Sequence, residues 1–407
     1  MIKDTQCKEP LMDSDNVESQ QEYANHKTFP LAKLLLLSMT GFIAIMTETM
    51  PAGILPLISK DLGVSESLSG QLITLYALGS VLAAVPVITA TAHWPRKRLL
   101  LFSILGFFIF NLVTAISSNY ILTLFVRFLG GVSAGVAWAI LIGFAKRIVQ
   151  PSHEGKAITI VGMGQPLALA FGVPLCTWIS LYLGWAGAFW IISGISLFLL
   201  VFTYLSIPDF KGIESKKKVS PRFVLGMKGV LITLVAIFLW IFAHNMLYTY
   251  MSPFLAIYRL ADKIDVFMLL FGCSSLLGIA ITGALIDKFL KSLILFNLLL
   301  FAFSALVMMG GDHSTYWVYI GVFVWGTSFG GAPSLLQKQL VDASGEYADI
   351  AQSMLVTVFN SAVAMGGIGG AFVLVYFNAI SIPMSLVIIS LLILVIFMLE
   401  KLSIKKT

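Results

Sequence analysis

Long apolar runs separated by short polar or basic stretches set the rhythm of this 407-residue chain. A helix needs about 20 apolar residues to cross the roughly 30 Å hydrocarbon core of a bilayer. Runs of that kind lie near 33–55, 69–91, 99–117, 120–145, 157–182, 187–206, 229–251, 265–286, 293–310, 316–336, 350–377 and 379–399. Each predicts a membrane-spanning helix. Gly and Pro inside them do not argue otherwise, because both are common in membrane helices. The expected fold is an all-α membrane protein of twelve transmembrane helices. Composition agrees: 58% of residues are hydrophobic and only 11% are charged, against roughly 25% charged in soluble proteins. Too few polar residues exist to cover a water-facing surface, so the outside of the folded chain has to face lipid.

Charge gives the spans a direction. With the N-terminus in the cytoplasm, all but four of the 26 Lys and Arg fall in cytoplasmic segments. Three of the four, Lys60, Arg259 and Lys263, lie in outside loops, and Arg127 lies within a span. This asymmetry and the even span count predict a multi-pass protein of the inner (plasma) membrane with both termini cytoplasmic. The net charge of +6 is therefore a membrane-orientation signal, and no nucleic-acid partner is expected. Residues 1–30 are acidic and lack the apolar core of a signal peptide, so they read as a disordered cytoplasmic tail. Cys7, Cys176 and Cys273 form no CxxC or Cys/His cluster. No disulfide framework, metal site or other cofactor is expected.

The longest polar break, 207–228, contains Lys216-Lys217-Lys218 and falls near the middle of the chain. It reads as a basic cytoplasmic linker between six-helix units at 31–206 and 229–400. Internal matches support a duplication. TATAHWPRKRLLLF (89–102) and GALIDKFLKSLILF (283–296) occupy the same place between second and third spans of each half. Gly130 and Gly135 in the fourth span recur as Gly326 and Gly331 in the tenth. Glu48 precedes Pro56 by eight residues, and Asn245 precedes Pro253 by the same eight. Two pseudo-symmetric six-helix bundles are expected.

These segments carry a resemblance to the major facilitator superfamily, in its twelve-span drug:proton antiporter branch. The arabinose-efflux-like and purine-ribonucleoside-efflux-like members are the most similar. TETMPAGILPLISKDLGVS (47–65) resembles that group's first-span signature, and YTYMSPFL (248–255) its seventh-span signature. GALIDKFLK (283–291) resembles the superfamily loop motif, and RFLGGVSAG (127–135) its fourth-span motif. GMGQPLALAFGVPL (162–175) resembles the fifth-span antiporter motif, with Gly164, Pro166, Gly172 and Pro174. The chain departs from the pattern at Thr89 and His93, where the first-half loop motif has Gly and Asp in the family. It departs again at Ala186, where the family has Arg after Gly184-Trp185, and near Ala256, where an acidic residue is usual. The resemblance implies the major facilitator fold and a gating role for Gly283 and Asp287. The fifth-span motif implies export rather than uptake.

Charged groups inside a bilayer are expensive, at roughly 2.5–3.5 kcal/mol on insertion scales, and are functional by default. Of twenty acidic residues only Glu48 lies well inside a span, and Arg127 is its basic counterpart. At 1.5 Å per residue, Glu48 lies about 21 Å along the first span, Arg127 about 10 Å into the fourth from the other end, and His244 about 22 Å along the seventh. All three therefore share one depth in the outer half of the membrane. A Glu48–Arg127 pair with His244 opposite is geometrically open. A low-dielectric cavity favours the protonated carboxyl and a nearby guanidinium favours the charged one. A conformational change that alters either balance would make Glu48 bind or release a proton. The other reading is a static Glu48–Arg127 bridge. His244, Asn245, Tyr248, Tyr250 and Trp138 are candidates for the cavity wall, since aromatics with polar tips suit amphipathic ligands; helix packing is the plainer alternative for each. In the fifth span, Gly and Pro would bend the helix and free backbone groups.

The function these residues point to is secondary active transport: proton-coupled efflux of a small organic molecule of the drug, sugar or nucleoside class, by a monomer in the lipid bilayer. A sugar or nucleoside facilitator or importer is the alternative, and a non-transporting membrane receptor or scaffold is the alternative of another class. An embedded enzyme is not expected, because no HExxH, GxSxG, paired intramembrane acids or nucleotide-binding loop is present.

Overall fold

The computed structural model describes residues 29–91, 94–150, 153–210 and 221–404. The tail over 1–28 and the centre of the linker, 211–220, lie outside the described residues. The described chain is helical, with no strand. Nine of its segments are long and apolar enough to cross a membrane. One of them, Lys156–Ser206, is 51 residues long and reverses at Gly184, so it supplies two crossings. Gly184 sits at φ 70°, ψ 171°, a conformation open to residues without a Cβ. The helices Glu66–Ala90 and Tyr316–Gly330 complete twelve crossings, the last continuing past Gly331 as Ala332–Ser344.

In chain order the crossings are α1 (Leu31–Gly53), α2 (Glu66–Ala90), α3 (Arg96–Ile116), α4 (Tyr120–Arg147), α5 (154–183), α6 (185–206), α7 (Val230–Thr249), α8 (264–288), α9 (290–308), α10 (Tyr316–Gly330), α11 (Ala348–Tyr376) and α12 (Ser381–Ile404). α8 and α9 meet at Phe289, whose φ −130°, ψ 28° leaves the helical range. The span expected over 316–336 is divided instead, because the chain bends at Gly330-Gly331 and Pro333 starts the next helix. The end of the bundle that carries Arg96–Arg98, Arg147 and Lys338 is the basic face; the other end, with Gly53, Glu66 and Tyr250, is the far face.

Within α1–α6, α2 packs along α4 and α3 lies against both α4 and α6. Within α7–α12, α8 packs along α10 and α7 along α11. The two sets meet through α2 against α11, α5 against α8 and α1 against α7. Without a hydrophobic driving force in lipid, helices associate where small residues let backbones approach. The repeated glycines do this twice. A Cβ at Gly131 or Gly135 of α4 would overlap the carbonyl oxygen of Tyr76 or Ser80 on α2. In the second set, a Cβ at Gly326 or Gly330 of α10 would overlap backbone of Phe271 or Ser275 on α8. Gly135 and Gly326 of the sequence repeat thus lie in these helix–helix seams, beside Gly131 and Gly330, which the repeat does not include. Gly131→Ala is expected to lower stability by about 1–3 kcal/mol, the usual range for overfilling a packed core. Gly143→Ala, where nothing lies within 4 Å, should be neutral. Thermal unfolding of the two purified variants checks this, and equal melting curves would show the seam to be loose.

Two contacts tie down the turns that frame the first set. The Trp185 Nε1–H donates to Asp61 Oδ2 at 2.9 Å, joining the start of α6 to the short helix Leu55–Leu62 that extends α1. On the basic face, Lys97 N–H donates to Asp209 Oδ1 at 3.1 Å and Arg96 N–H to Phe210 O at 2.8 Å. The residues just after α6 are thereby fastened to the start of α3.

Candidate functional site

Glu48 lies on α1 one turn before Pro51. Proline has no N–H, so the carbonyl of Thr47 loses its helical partner at this point. The hydroxyls on either side of Glu48 are engaged. Thr47 Oγ1 accepts from Asn111 Nδ2 of α3 at 3.0 Å, and Thr49 Oγ1 donates to Ile45 O at 2.7 Å. The Glu48 side chain is buried, with 8% of its surface exposed. Among the described residues its carboxylate accepts no hydrogen bond and forms no ion pair within 4.0 Å.

Arg127 is equally buried, yet its donors turn to the main chain. Its Nε–H donates to Leu72 O on α2 at 3.2 Å, and Nη2–H to the backbone oxygen of Glu48 at 3.4 Å. The guanidinium lies 4.7 Å from the Tyr76 ring and 5.7 Å from the Phe189 ring, a cation–π arrangement that holds a desolvated charge. Tyr76 in turn donates its hydroxyl to Ala44 O at 2.9 Å. Arg127 is therefore the junction of α1, α2, α4 and α6. The expected pairing of Glu48 with Arg127 is corrected in its atoms: the bond runs to the backbone carbonyl of Glu48 and not to its carboxylate. Two of the guanidinium N–H groups are turned to helix carbonyls, and its faces meet two aromatic rings. A carboxylate so nearly removed from water must take a proton or meet a donor, from water or from a ligand.

Across from α1, α7 presents Trp240, His244 and Tyr248 at four-residue spacing on one face. His244 lies parallel to Phe329, ring centroids 3.4 Å apart, with Trp325 at 5.2 Å, Tyr248 at 5.4 Å and Phe271 at 5.5 Å. Its Nδ1 and the Nε1 atoms of Trp240 and Trp325 are buried without a hydrogen-bond partner. His244 thus belongs to an aromatic cluster of the second set rather than directly facing Arg127. Tyr248, one turn on, packs against Phe271 of α8 with ring centroids 5.5 Å apart. Asn245 donates its amide to Ile241 O at 2.9 Å and packs its Cβ towards Gly366 of α11. Trp138 covers Gly41 of α1, two turns nearer the basic face than Glu48.

The fifth-span glycines and prolines shape how α5 meets its neighbours. Over Ala168–Gly172 the helix widens to an i→i+5 turn, flanked by Pro166 and Pro174, which cannot donate to the residues four before them. Gly164 and Gly172 lie against Ser38 and Met46 of α1, and Gly272 of α8 lies against Ala170. This irregular turn is clasped between the two sets. Gly283 is open, with nothing within 4 Å of a Cβ position, and the side chain of Asp287 lies outside the described residues.

Sequence reasoning missed Tyr76, Phe189 and Asn111. Asn111 carries a signal of sorts, a lone amide in an apolar run, while Tyr76 and Phe189 look like ordinary span aromatics.

Twelve crossings in two glycine-seamed sets, with a lone carboxylate buried in the first among the described residues, define a polytopic helical membrane protein. Residues 37–367 match the profile of the Major Facilitator Superfamily, and the chain belongs to that family. It is 27% identical over 361 residues to a chloramphenicol efflux pump of Mycobacterium tuberculosis (strain ATCC 25618 / H37Rv), covering 83% of this chain and 84% of that protein. It is 24% identical over 353 residues to a probable sugar efflux transporter of Helicobacter acinonychis (strain Sheeba), covering 86% of this chain and 90% of the other. Its fold matches the crystal structure of the nucleoside transporter NupG with a TM-score of 0.74 at 15% identity, over 91% of this chain and 99% of that one. The chain is a membrane transporter of small molecules, and it is not an enzyme.

Proposed function

We propose that this transporter exports a small organic molecule in exchange for protons, with Glu48 as the proton-carrying group. The observation that carries the proposal is the Glu48 carboxylate, buried beside Arg127 and lacking any hydrogen-bond donor among the described residues. A fixed structural carboxylate would be held by donors, as Arg127 is held by the carbonyls of Leu72 and Glu48. In this reading Glu48 takes up a proton when its surroundings open to the far side. Cargo arriving from the basic side then displaces that proton. The basic face is the cytoplasmic face of the inner membrane, as the distribution of Lys and Arg supports, and both termini lie there. The names of the two efflux relatives support export. His244, Asn245, Tyr248 and Trp138 meet the cargo, and their aromatic character suits an amphipathic molecule. One chain supplies both sets, 31–206 and 229–400, joined by the basic linker 207–228, so the monomer is the transport unit. Gly283 and Asp287 act at the gate on the cytoplasmic side, and the α5 turn at Gly164, Pro166, Gly172 and Pro174 lets α1 and α8 move past it.

The test uses purified protein in vesicles with the basic face outward. Labelled chloramphenicol, arabinose and uridine serve as probes. At least one should accumulate inside when the interior is made acidic, and a protonophore should abolish the accumulation. Equilibration that ignores the pH gradient would replace this reading with a facilitator. Flux of none of the probes, beside measurable binding, would favour a receptor.

A further inference from the structure

The far face is closed at one point by a side chain that the transport reading does not use. Tyr250 ends α7, and its φ −108°, ψ 30° leaves the helical range. Residues two apart on a regular helix point away from each other. The break lets Tyr250 reach α2 while Tyr248 stays in the aromatic cluster with Phe271 and Trp325. Tyr250 is fully buried. Its hydroxyl lies 3.0 Å from Gly367 O on α11 and 3.3 Å from Ser67 O on α2, and Gln71 Nε2–H of α2 donates to it at 3.4 Å. A hydroxyl has one proton to give and two lone pairs to accept with, so one carbonyl and the Gln71 amide satisfy it together. The ring fits in a slot whose two walls are glycine. A Cβ at Gly70 of α2 or at Gly370 of α11 would overlap it. Nearby, a Cβ at Gly367 would overlap Thr74 Oγ1 of α2. Three helices from both sets therefore converge on one phenol, at the far end of the bundle.

We infer that Tyr250 is the latch of the far gate: its hydroxyl, held by Gln71 of α2 and the Gly367 carbonyl of α11, must let go before α2 and α11 separate to release cargo. Tyr250 is a positioning residue, since it sets which face is open and touches no transported proton. The inference rests on the family's transport function and on this geometry, and it stands apart from the role proposed for Glu48.

The experiment reads conformation alone. Full-length protein with Cys7, Cys176 and Cys273 replaced by Ser carries spin labels at Ser65→Cys and Phe377→Cys, exposed positions beside α2 and α11 on the far face. Double electron–electron resonance in lipid nanodiscs gives the distance distribution. Tyr250→Phe removes one oxygen and keeps the ring in its slot. It should raise the ratio of long to short distances about fivefold, the factor that corresponds to one typical hydrogen bond. Gln71→Leu should move the ratio the same way. Tyr120→Phe is the control, because its hydroxyl bonds Leu68 O at 2.8 Å within the first set, and it should leave the ratio unchanged. Distributions for Tyr250→Phe and Gln71→Leu that superimpose on the unsubstituted protein would overturn the latch, as would an equal shift from Tyr120→Phe.

Discussion

A Glu48→Gln protein is expected to exchange cargo across the membrane but to lose all accumulation driven by a pH gradient. Gln has the shape of Glu and cannot bind and release a proton, so the substitution separates coupling from folding. The local structure should survive it. Arg127 bonds the backbone oxygen of residue 48 and not its side chain. The neighbouring bonds run from Thr47 to Asn111 and from Thr49 to Ile45. Removing a buried charge also removes a desolvation penalty. Thermal unfolding should therefore match or slightly exceed that of the native protein. Exchange of labelled against unlabelled cargo should continue, and accumulation should fall to the level that a protonophore leaves. Unchanged accumulation would remove Glu48 from the coupling step.

The second large effect belongs to Arg127. Replacing it with Ala is expected to destabilise the first set of helices by about 3–5 kcal/mol, the range for losing one partner of a buried charged network. The guanidinium bonds carbonyls on α1 and α2 and lies between the rings of Tyr76 and Phe189. Its loss leaves a cavity where four helices meet and leaves the Glu48 carboxylate without its nearby positive charge. Arg127→Lys keeps the charge but lacks the planar fork that reaches two carbonyls and stacks on rings, so it should restore only part of the stability. The distinguishing result is that whatever flux the Lys variant retains stays dependent on the pH gradient. The melting temperature of each purified variant checks the first statement, and flux per folded molecule checks the second. An Ala variant that melts with the native protein would show that Arg127 is not the junction of these helices.

The bundle was legible because its signals are local or periodic. Apolar runs marked the crossings, and a glycine repeat with an offset near 196 marked what proved to be the α2–α4 and α8–α10 seams. Glu48 stood out because an acid inside a span has no structural reason to be there. The partners of Arg127 were not legible. They are main-chain oxygens of Leu72 and Glu48, and every residue carries such an oxygen, so no pattern announces the one that is used. The same holds for Tyr250, whose bonds to Ser67 and Gly367 depend on a helix break that YTYMSPFL does not reveal by composition. Spacing puts His244 at one depth with Glu48, but depth along a helix does not fix which neighbour a ring faces. It packs on Phe329 and Trp325 of α10. Pro166 and Pro174 promised a bend in α5, and the structure answers with a widened turn between them.

The account stands on Glu48 carrying a proton, and infrared spectroscopy measures that directly without knowledge of the cargo. Spectra of native and Glu48→Gln protein, each recorded at the two pH values that flank the membrane in the flux assay, are subtracted to leave the contribution of this one side chain. The account predicts the carbonyl stretch of a protonated carboxylic acid on the acidic side, replaced by the carboxylate stretch on the other. A side chain that remains carboxylate at both values would contradict it.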